Sequence, residues 1–199
     1  PELHSCVFLG NYAASDGGGI FSSSADGLIA NCEFDSNEAG NHGGGLKIAL
    51  GEIEIIDTQI IGNMAYQGGG LYWFANEDTL PLRVTGCTIT GNGASKVGGG
   101  IKSRIGYPAV DLMDTTVCDN NPDEINGEYI DNGGNTLCIC VADFTGDGVV
   151  SGADLGLLLG AWGECNPDTP CFADLTGDGF VTGADLGLLL GAWGVCVDP

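Results

Sequence analysis

SNEAGNHGGGL, residues 36–46, decides how most of the chain folds, because three other stretches follow the same plan. They are GNYAASDGGGI (10–20), GNMAYQGGGL (62–71) and GNGASKVGGGI (91–101), each an Asn followed by a Gly triplet and an aliphatic residue. The triplets begin at 17, 43, 68 and 98, so the spacings are 26, 25 and 30 residues. Self-similarity at such a period marks a repeat architecture. Upstream of each Asn lies a strand-like run: LHSCVF, IANCEF, IIDTQI, VTGCTI, and lastly LMDTTVC (112–118). Strands at this period, with no helical stretch between them, predict one coil of a parallel β-helix per repeat, about five coils over residues 1–136.

Alternation along a strand assigns the faces. Glu33 must point outward, so Cys32 and Phe34 point inward. The inward columns then read Cys6, Cys32, Thr58, Cys87, Thr116 and Phe8, Phe34, Ile60, Ile89, Cys118. Asn11, Asn37, Asn63 and Asn92 stack at a bend, where Asn tolerates the left-handed conformation and its amides form a ladder. The Gly triplets supply positive φ at another bend, and no phosphate-cradling role is needed for them. Residues 120–136 lack the repeated phrase and are expected to cap the last coil.

After each triplet the outward residues are Phe21, Lys47, Tyr72 and Lys102, then Ser23, Ala49, Phe74 and Arg104. Catalysis on an acidic polysaccharide would ask for a proton acceptor beside such cations. No Asp or His joins them in the pattern, since His4 and His42 lie on other segments, so the chain is read as non-catalytic. Aromatics interleaved with cations suit stacking on carbohydrate or on another protein. The same residues also suit a plain solvated sheet with cross-strand cation–aromatic pairs.

The pieces GGGI, GGGL and CEFDSN resemble the right-handed parallel β-helix repeats of bacterial surface proteins, polymorphic outer-membrane proteins among them. The resemblance covers about residues 3–135 and implies the fold. It leaves function open, because adhesins, structural proteins and polysaccharide-active enzymes share such repeats.

Composition narrows the partners. The 199 residues carry 27 Asp+Glu against 5 Lys+Arg, a net charge of -22, which repels nucleic acid and anionic membrane surfaces and favours divalent cations. No apolar run reaches the ~18 residues a membrane span needs. Nine cysteines without a Cys-x-x-Cys pair point to an oxidising, extracellular or cell-surface setting rather than to zinc.

A second phrase is doubled outright. DFTGDGVVSGADLGLLLGAWG (143–163) recurs at 174–194 with three changes. Counted as twelve-residue loops, positions 1, 3, 5, 9 and 12 are Asp143, Thr145, Asp147, Ser151, Asp154 and Asp174, Thr176, Asp178, Thr182, Asp185. Gly148 and Gly179 take the sharp turn, and position 7 (Val149, Phe180) offers its backbone carbonyl. Carboxylates converging on one point need a hard cation between them, so two calcium ions are expected, one per loop. Asp at position 12 and Thr at position 3 depart from the usual EF-hand set.

Each loop runs into ADLGLLLGAWG with no incoming helix. Two loop–helix units of this kind, over residues 141–196, resemble dockerin modules, which clamp cohesin domains in secreted assemblies. The resemblance implies a small α-helical calcium-binding domain over residues 137–199. It also implies a partner surface at loop positions 10 and 11, here Gly152-Ala153 and Gly183-Ala184. These pairs do not resemble well-known cohesin-reading pairs. The helices are apolar nearly all round, so Trp162, Trp193 and surplus leucines are expected to face a partner.

Antiparallel packing of the two helices pairs Cys165 with Cys171 and, by pseudo-twofold symmetry, Cys140 with Cys196. Cys118–Cys138 pins the cap, Cys6 and Cys32 either bridge or stay as buried thiols, and Cys87 is left free. The reading is a secreted structural protein whose docking module binds copies of itself, giving fibres, or a cohesin-like protein, with carbohydrate a further partner of the stripe. The C-terminal module has nine acidic residues and no basic ones, a complement to the basic stripe. The first coil, entered directly from Pro1, is expected to be covered in the working state. The alternative is a dockerin-tethered piece of a polysaccharide-active or carbohydrate-binding protein.

Overall fold

The computed structural model describes residues 1–138, 141–145, 148–166 and 171–195. The chain divides into two compact units, Pro1–Cys138 and Ile139–Pro199.

The first unit is a parallel β-helix of about five turns, whose short strands stack into four sheets. The first sheet is built from Glu2–His4, Gly27–Ala30, Ile53–Ile56, Leu82–Thr85, Val110–Met113 and Tyr129–Asp131. The second stacks Val7–Leu9, Glu33–Asp35, Gln59–Ile61, Thr88–Thr90, Thr116–Cys118 and Thr136–Leu137. The third holds Tyr12–Ala13, Glu38–Ala39, Met64–Gln67 and Gly93–Val97. The fourth holds Ile20–Ser23, Leu46–Ala49, Leu71–Phe74, Ile101–Lys102 and Ile125–Asn126.

Identical positions lie over one another, so the core is a set of like-on-like columns: Ile29, Ile55, Val84 and Leu112, or Phe34, Ile60, Ile89 and Val117, all buried. Phe8 stacks on Phe34 with centroids 4.7 Å apart and planes 2° from parallel. Trp73 is fully buried and its Nε1–H donates to the carbonyl of Pro108 at 3.1 Å.

Two corner ladders lock the coils together. Asn11, Asn37, Asn63 and Asn92 form the expected amide ladder, and Asn120 extends it. In each rung the backbone N–H and Nδ2 of one Asn donate to Oδ1 of the next, at 2.8–3.0 Å. Glu124 stands where a sixth Asn would be, taking the Nδ2–H of Asn120 at 2.5 Å. The second ladder runs through the Cys/Thr column: Cys6 N–H meets Cys32 Sγ, Cys32 N–H meets Thr58 Oγ1, and Cys87 N–H meets Thr115 Oγ1.

Four expectations require correction. The left-handed residue at each Asn corner is the one before the Asn, namely Gly10, Ser36, Gly62, Gly91 and Asp119, because the ladder Asn must itself point inward. In the last coil Thr115 and Val117 face inward, not Thr116 and Cys118, since Val117 pairs with Ile89. Residues 125–137 add strands to three sheets and so continue the β-helix rather than merely capping it. Only the first Gly of each triplet has positive φ; the second is glycine because a Cβ there would meet the next coil's backbone, as at Gly18, 2.3 Å from Gly44 O.

Cys118 is bonded to Cys138. Cys6 and Cys32 are unbonded, as is Cys87. Stacked inward-pointing residues have parallel Cα–Cβ directions, poorly placed for a disulfide, and both sulfurs are engaged: Cys6 Sγ with His4 O, Cys32 Sγ with Ala30 O. Burial pushes the Cys87 thiol up to about 11.

In the second unit, helix α1 spans Gly152–Gly160 and helix α2 spans Gly183–Gly191. Ser151 and Thr182 cap them, each with a reciprocal capping box from Asp154 or Asp185. Two short antiparallel pairs, Val149–Val150 with Gly194–Val195 and Gly163–Glu164 with Phe180–Val181, give the unit its pseudo-twofold plan. Its core is Ala142, Val150, Leu158 and their counterparts Ala173, Val181, Leu189. Cys165 is bonded to Cys171. Cys140 and Cys196 lie outside the described residues.

Candidate functional site

Two places bring chemically capable side chains together, one in each unit. The first is the outer face of the fourth sheet, just past the Gly-triplet corner. Parallel register sets Phe21 beside Lys47, Lys47 beside Tyr72, and Tyr72 beside Lys102, with Phe74 one pleat further on. This is the stripe expected from the repeats.

The structure adds two residues that the alternation pattern excludes. Asp16, half-buried, accepts from Lys47 Nζ at 2.9 Å and from His42 Nδ1 at 2.8 Å. The His42 ring packs on Tyr72 with centroids 4.5 Å apart. Asp16 and His42 pair as an isolated bridge at the corner, and their side chains reach Lys47 and Tyr72 of the fourth sheet. An Asp and a His therefore do join the cations, contrary to the sequence reading. Burial raises the Asp16 carboxyl, but the hydrogen bonds from Lys47 and His42 outweigh it and hold the group below its ordinary value.

Lys47 Nζ lies 5.2 Å from the Phe21 centroid and 5.6 Å from that of Tyr72, so one ammonium is shared by two rings. Lys102 is seated differently. Its Nζ donates to Ser103 O at 2.6 Å and to Asn126 O at 3.3 Å, and burial depresses its pKa. Arg104 packs on two rings, its Cζ 3.8 Å from the Tyr107 centroid and 5.1 Å from that of Phe74.

The second place is the pair of loops. Thr145 Oγ1 lies 3.1 Å from Asp143 Oδ1 and 3.0 Å from Asp154 Oδ1. The copy repeats this: Thr176 Oγ1 is 3.2 Å from Asp174 Oδ1 and 3.0 Å from Asp185 Oδ1. Positions 1, 3 and 12 therefore converge in both loops. Backbone N–H groups hold the carboxylates: Gly148 on Asp143, Gly179 on Asp174, Ser151 on Asp154 and Thr182 on Asp185. The Thr182 N–H is the main reason that the Asp185 carboxyl falls to about 2. Burial works against the same shift at Asp154, and the N–H groups of Ser151 and Thr145 outweigh it.

Asp178 is turned to the backbone N–H of Phe180 at 2.9 Å, while Asp147 lies outside the described residues. Among the described residues, no three of His, Cys, Asp and Glu are grouped as a metal cage. Gly152, Ala153, Gly183 and Ala184 are exposed on the first helical turns. Each helix buries a single stripe, leaving Leu157, Leu159 and Trp162 on one and Leu188, Leu190 and Trp193 on the other about half exposed. No helix is long and apolar enough to cross a membrane, among the described residues.

Residues 5–23 match the family model of the Chlamydia polymorphic membrane protein (Chlamydia_PMP) repeat. That stretch runs from the first Cys/Thr corner, through ladder residue Asn11 and the first Gly triplet, to the first strand of the fourth sheet. One coil is thus similar to that repeat, and the like-on-like stacking shows why neighbouring coils share its plan. No curated protein and no solved structure matches the chain.

Proposed function

We propose that the chain is an extracellular, surface-exposed and non-catalytic β-helix protein whose second unit is a calcium-dependent, dockerin-like docking module. The repeat match supports a surface β-helix. The observation that carries the calcium reading is the duplicated convergence of Asp143, Thr145 and Asp154, and of Asp174, Thr176 and Asp185, within hydrogen-bond distance of one hydroxyl. Hard oxygen donors with two or more carboxylates suit calcium and not a soft transition metal. Asp147 and Asp178 would complete the charge, with Ser151 and Thr182 at position 9 and the carbonyls of Val149 and Phe180. The cation would neutralise the clustered carboxylates and fix the entry to each helix.

The exposed leucines and Trp162 and Trp193 support docking, because a monomer seldom leaves two such ridges in water. Self-association into fibres is the preferred form of docking, and a cohesin-like receptor is the other. Calorimetric titration of the chelated protein with calcium should give two ions per chain, and Asp154→Asn or Asp185→Asn should each remove one. An absence of calcium heat would refute the reading. Light scattering with and without calcium then distinguishes self-association from a monomer awaiting a receptor.

A further inference from the structure

We infer that the fourth-sheet face binds an anionic oligosaccharide, with Phe21 and Tyr72 as the ring platform and Arg104 as the carboxylate receptor. This stands apart from the reading of the second unit and rests on three observations.

The first is charge. The chain has 27 acidic side chains and 5 basic ones, and three of the basic ones lie on this face. Among the described residues, neither Lys102 nor Arg104 forms an ion pair with a carboxylate. Asp123 lies close enough to favour the charge on Lys102, which is also seated on two carbonyls. Arg104, by contrast, is a cation without a carboxylate in contact on a very acidic molecule, and that prepares this end of the face for an anion brought from outside.

The second is rigidity. Arg104 packs on the rings of both Phe74 and Tyr107, which restrains its guanidinium, a planar fork of donors of the kind that matches a carboxylate. Its one hydrogen bond inward, to Ala75 O, is long at 3.5 Å.

The third is the platform. Phe21 and Tyr72 are two coils apart, roughly 10 Å along the axis, with the Lys47 ammonium between them. Asp16 neutralises Lys47 and receives His42, so this end of the face is electrically quiet but rich in donors and acceptors. Flat rings edged by such groups suit a sugar, whose C–H face is apolar and whose rim is hydroxylated. An acidic polypeptide would use the cations but has no comparable use for two spaced ring faces. Asp16 and His42 are positioning residues here: they hold Lys47 and Tyr72.

The full chain should be titrated by calorimetry with a hexamer of galacturonic acid. Maltohexaose serves as the neutral control and poly-glutamate as the acidic polypeptide. The expected result is binding of the uronate hexamer that weakens with salt, no binding of maltohexaose, and weaker binding of poly-glutamate. Phe21→Ala removes an exposed ring without touching the core, and Arg104→Gln removes the receptor charge. Each should weaken uronate binding about tenfold or more, a loss of ~1.4 kcal/mol, with the melting curve unchanged. Phe21→Trp should restore it. No uronate binding at millimolar concentration, equal binding of poly-glutamate, or Phe21→Ala binding as the parent does would each overturn the proposal.

Discussion

Removing one interior rung of the Asn ladder should cost the β-helix a large part of its stability. Asn63 is fully buried and accepts the backbone N–H and the Nδ2–H of Asn37, both at 2.9 Å. Asn63→Ala leaves both donors facing apolar columns that water cannot reach. At ~1–3 kcal/mol for each buried group left unpaired, the loss is about 2–6 kcal/mol, against a total of about 5–15 kcal/mol for a domain. Asn11→Ala is the internal control. Asn11 is exposed, and Asn37 Oδ1 keeps the backbone N–H of residue 11 after the side chain is gone, so the cost should be at most about 0.5 kcal/mol. Urea unfolding can be followed through Trp73, the one Trp before residue 162, in a Trp162→Phe/Trp193→Phe background. With a slope of about 1–3 kcal/mol per molar urea, the Asn63 variant should lose at least about 0.7 M in midpoint while the Asn11 variant barely moves. Equal shifts in the two variants, or an Asn63→Ala cost below about 1 kcal/mol, would show that the ladder does not lock the coils.

Two further outcomes follow from individual groups. Glu124 closes the ladder, and burial, helped by Asp119 and Asp123 against the Asn120 hydrogen bonds, raises its carboxyl from 4.5 to about 7. The folded chain then holds a proton that the unfolded chain releases, so stability is full below about 4.5 and declines as the pH rises through about 7. Because the group is partly exposed, the decline should be about 1–2 kcal/mol; Glu124→Gln should flatten that part of the profile, and an unchanged profile would refute it. Among the free thiols, half-buried Cys6 should react with iodoacetamide well before Cys87, which is buried and whose thiol is pushed up to about 11. Peptide mapping showing both labelled at one rate would contradict the assigned core.

The β-helix is legible in the sequence because its coils repeat like for like, and each repeated residue type has one physical reason to recur. Asn recurs because its side chain both donates and accepts along the axis, and the Gly triplet because backbones of successive coils approach too closely for a Cβ. Legibility fails where the repeat drifts. Beyond the triplet at 98–100 no further Gly triplet fixes the register, so alternation places the last coil one residue off and gives no sign that Asn120, rather than its neighbour Asn121, is the ladder residue. The same limit hides the Asp16–His42 pair. Alternation predicts which side of a strand a residue faces, but corner residues belong to no strand, and their directions depend on backbone turns that strand period does not encode. Asp16 and His42 stand immediately before the first glycines of their triplets, both of positive φ. One signal is nonetheless present: the two residues occupy equivalent repeat positions, so a carboxylate and an imidazole must stack in adjacent coils. In a stacked fold, equivalent positions in neighbouring coils are contacts even where no strand joins them. Tracking those pairs around every corner brings Asp16 and His42 together from the repeat alignment, while the reach of Asp16 across the glycine corner to Lys47 takes the folded backbone to see.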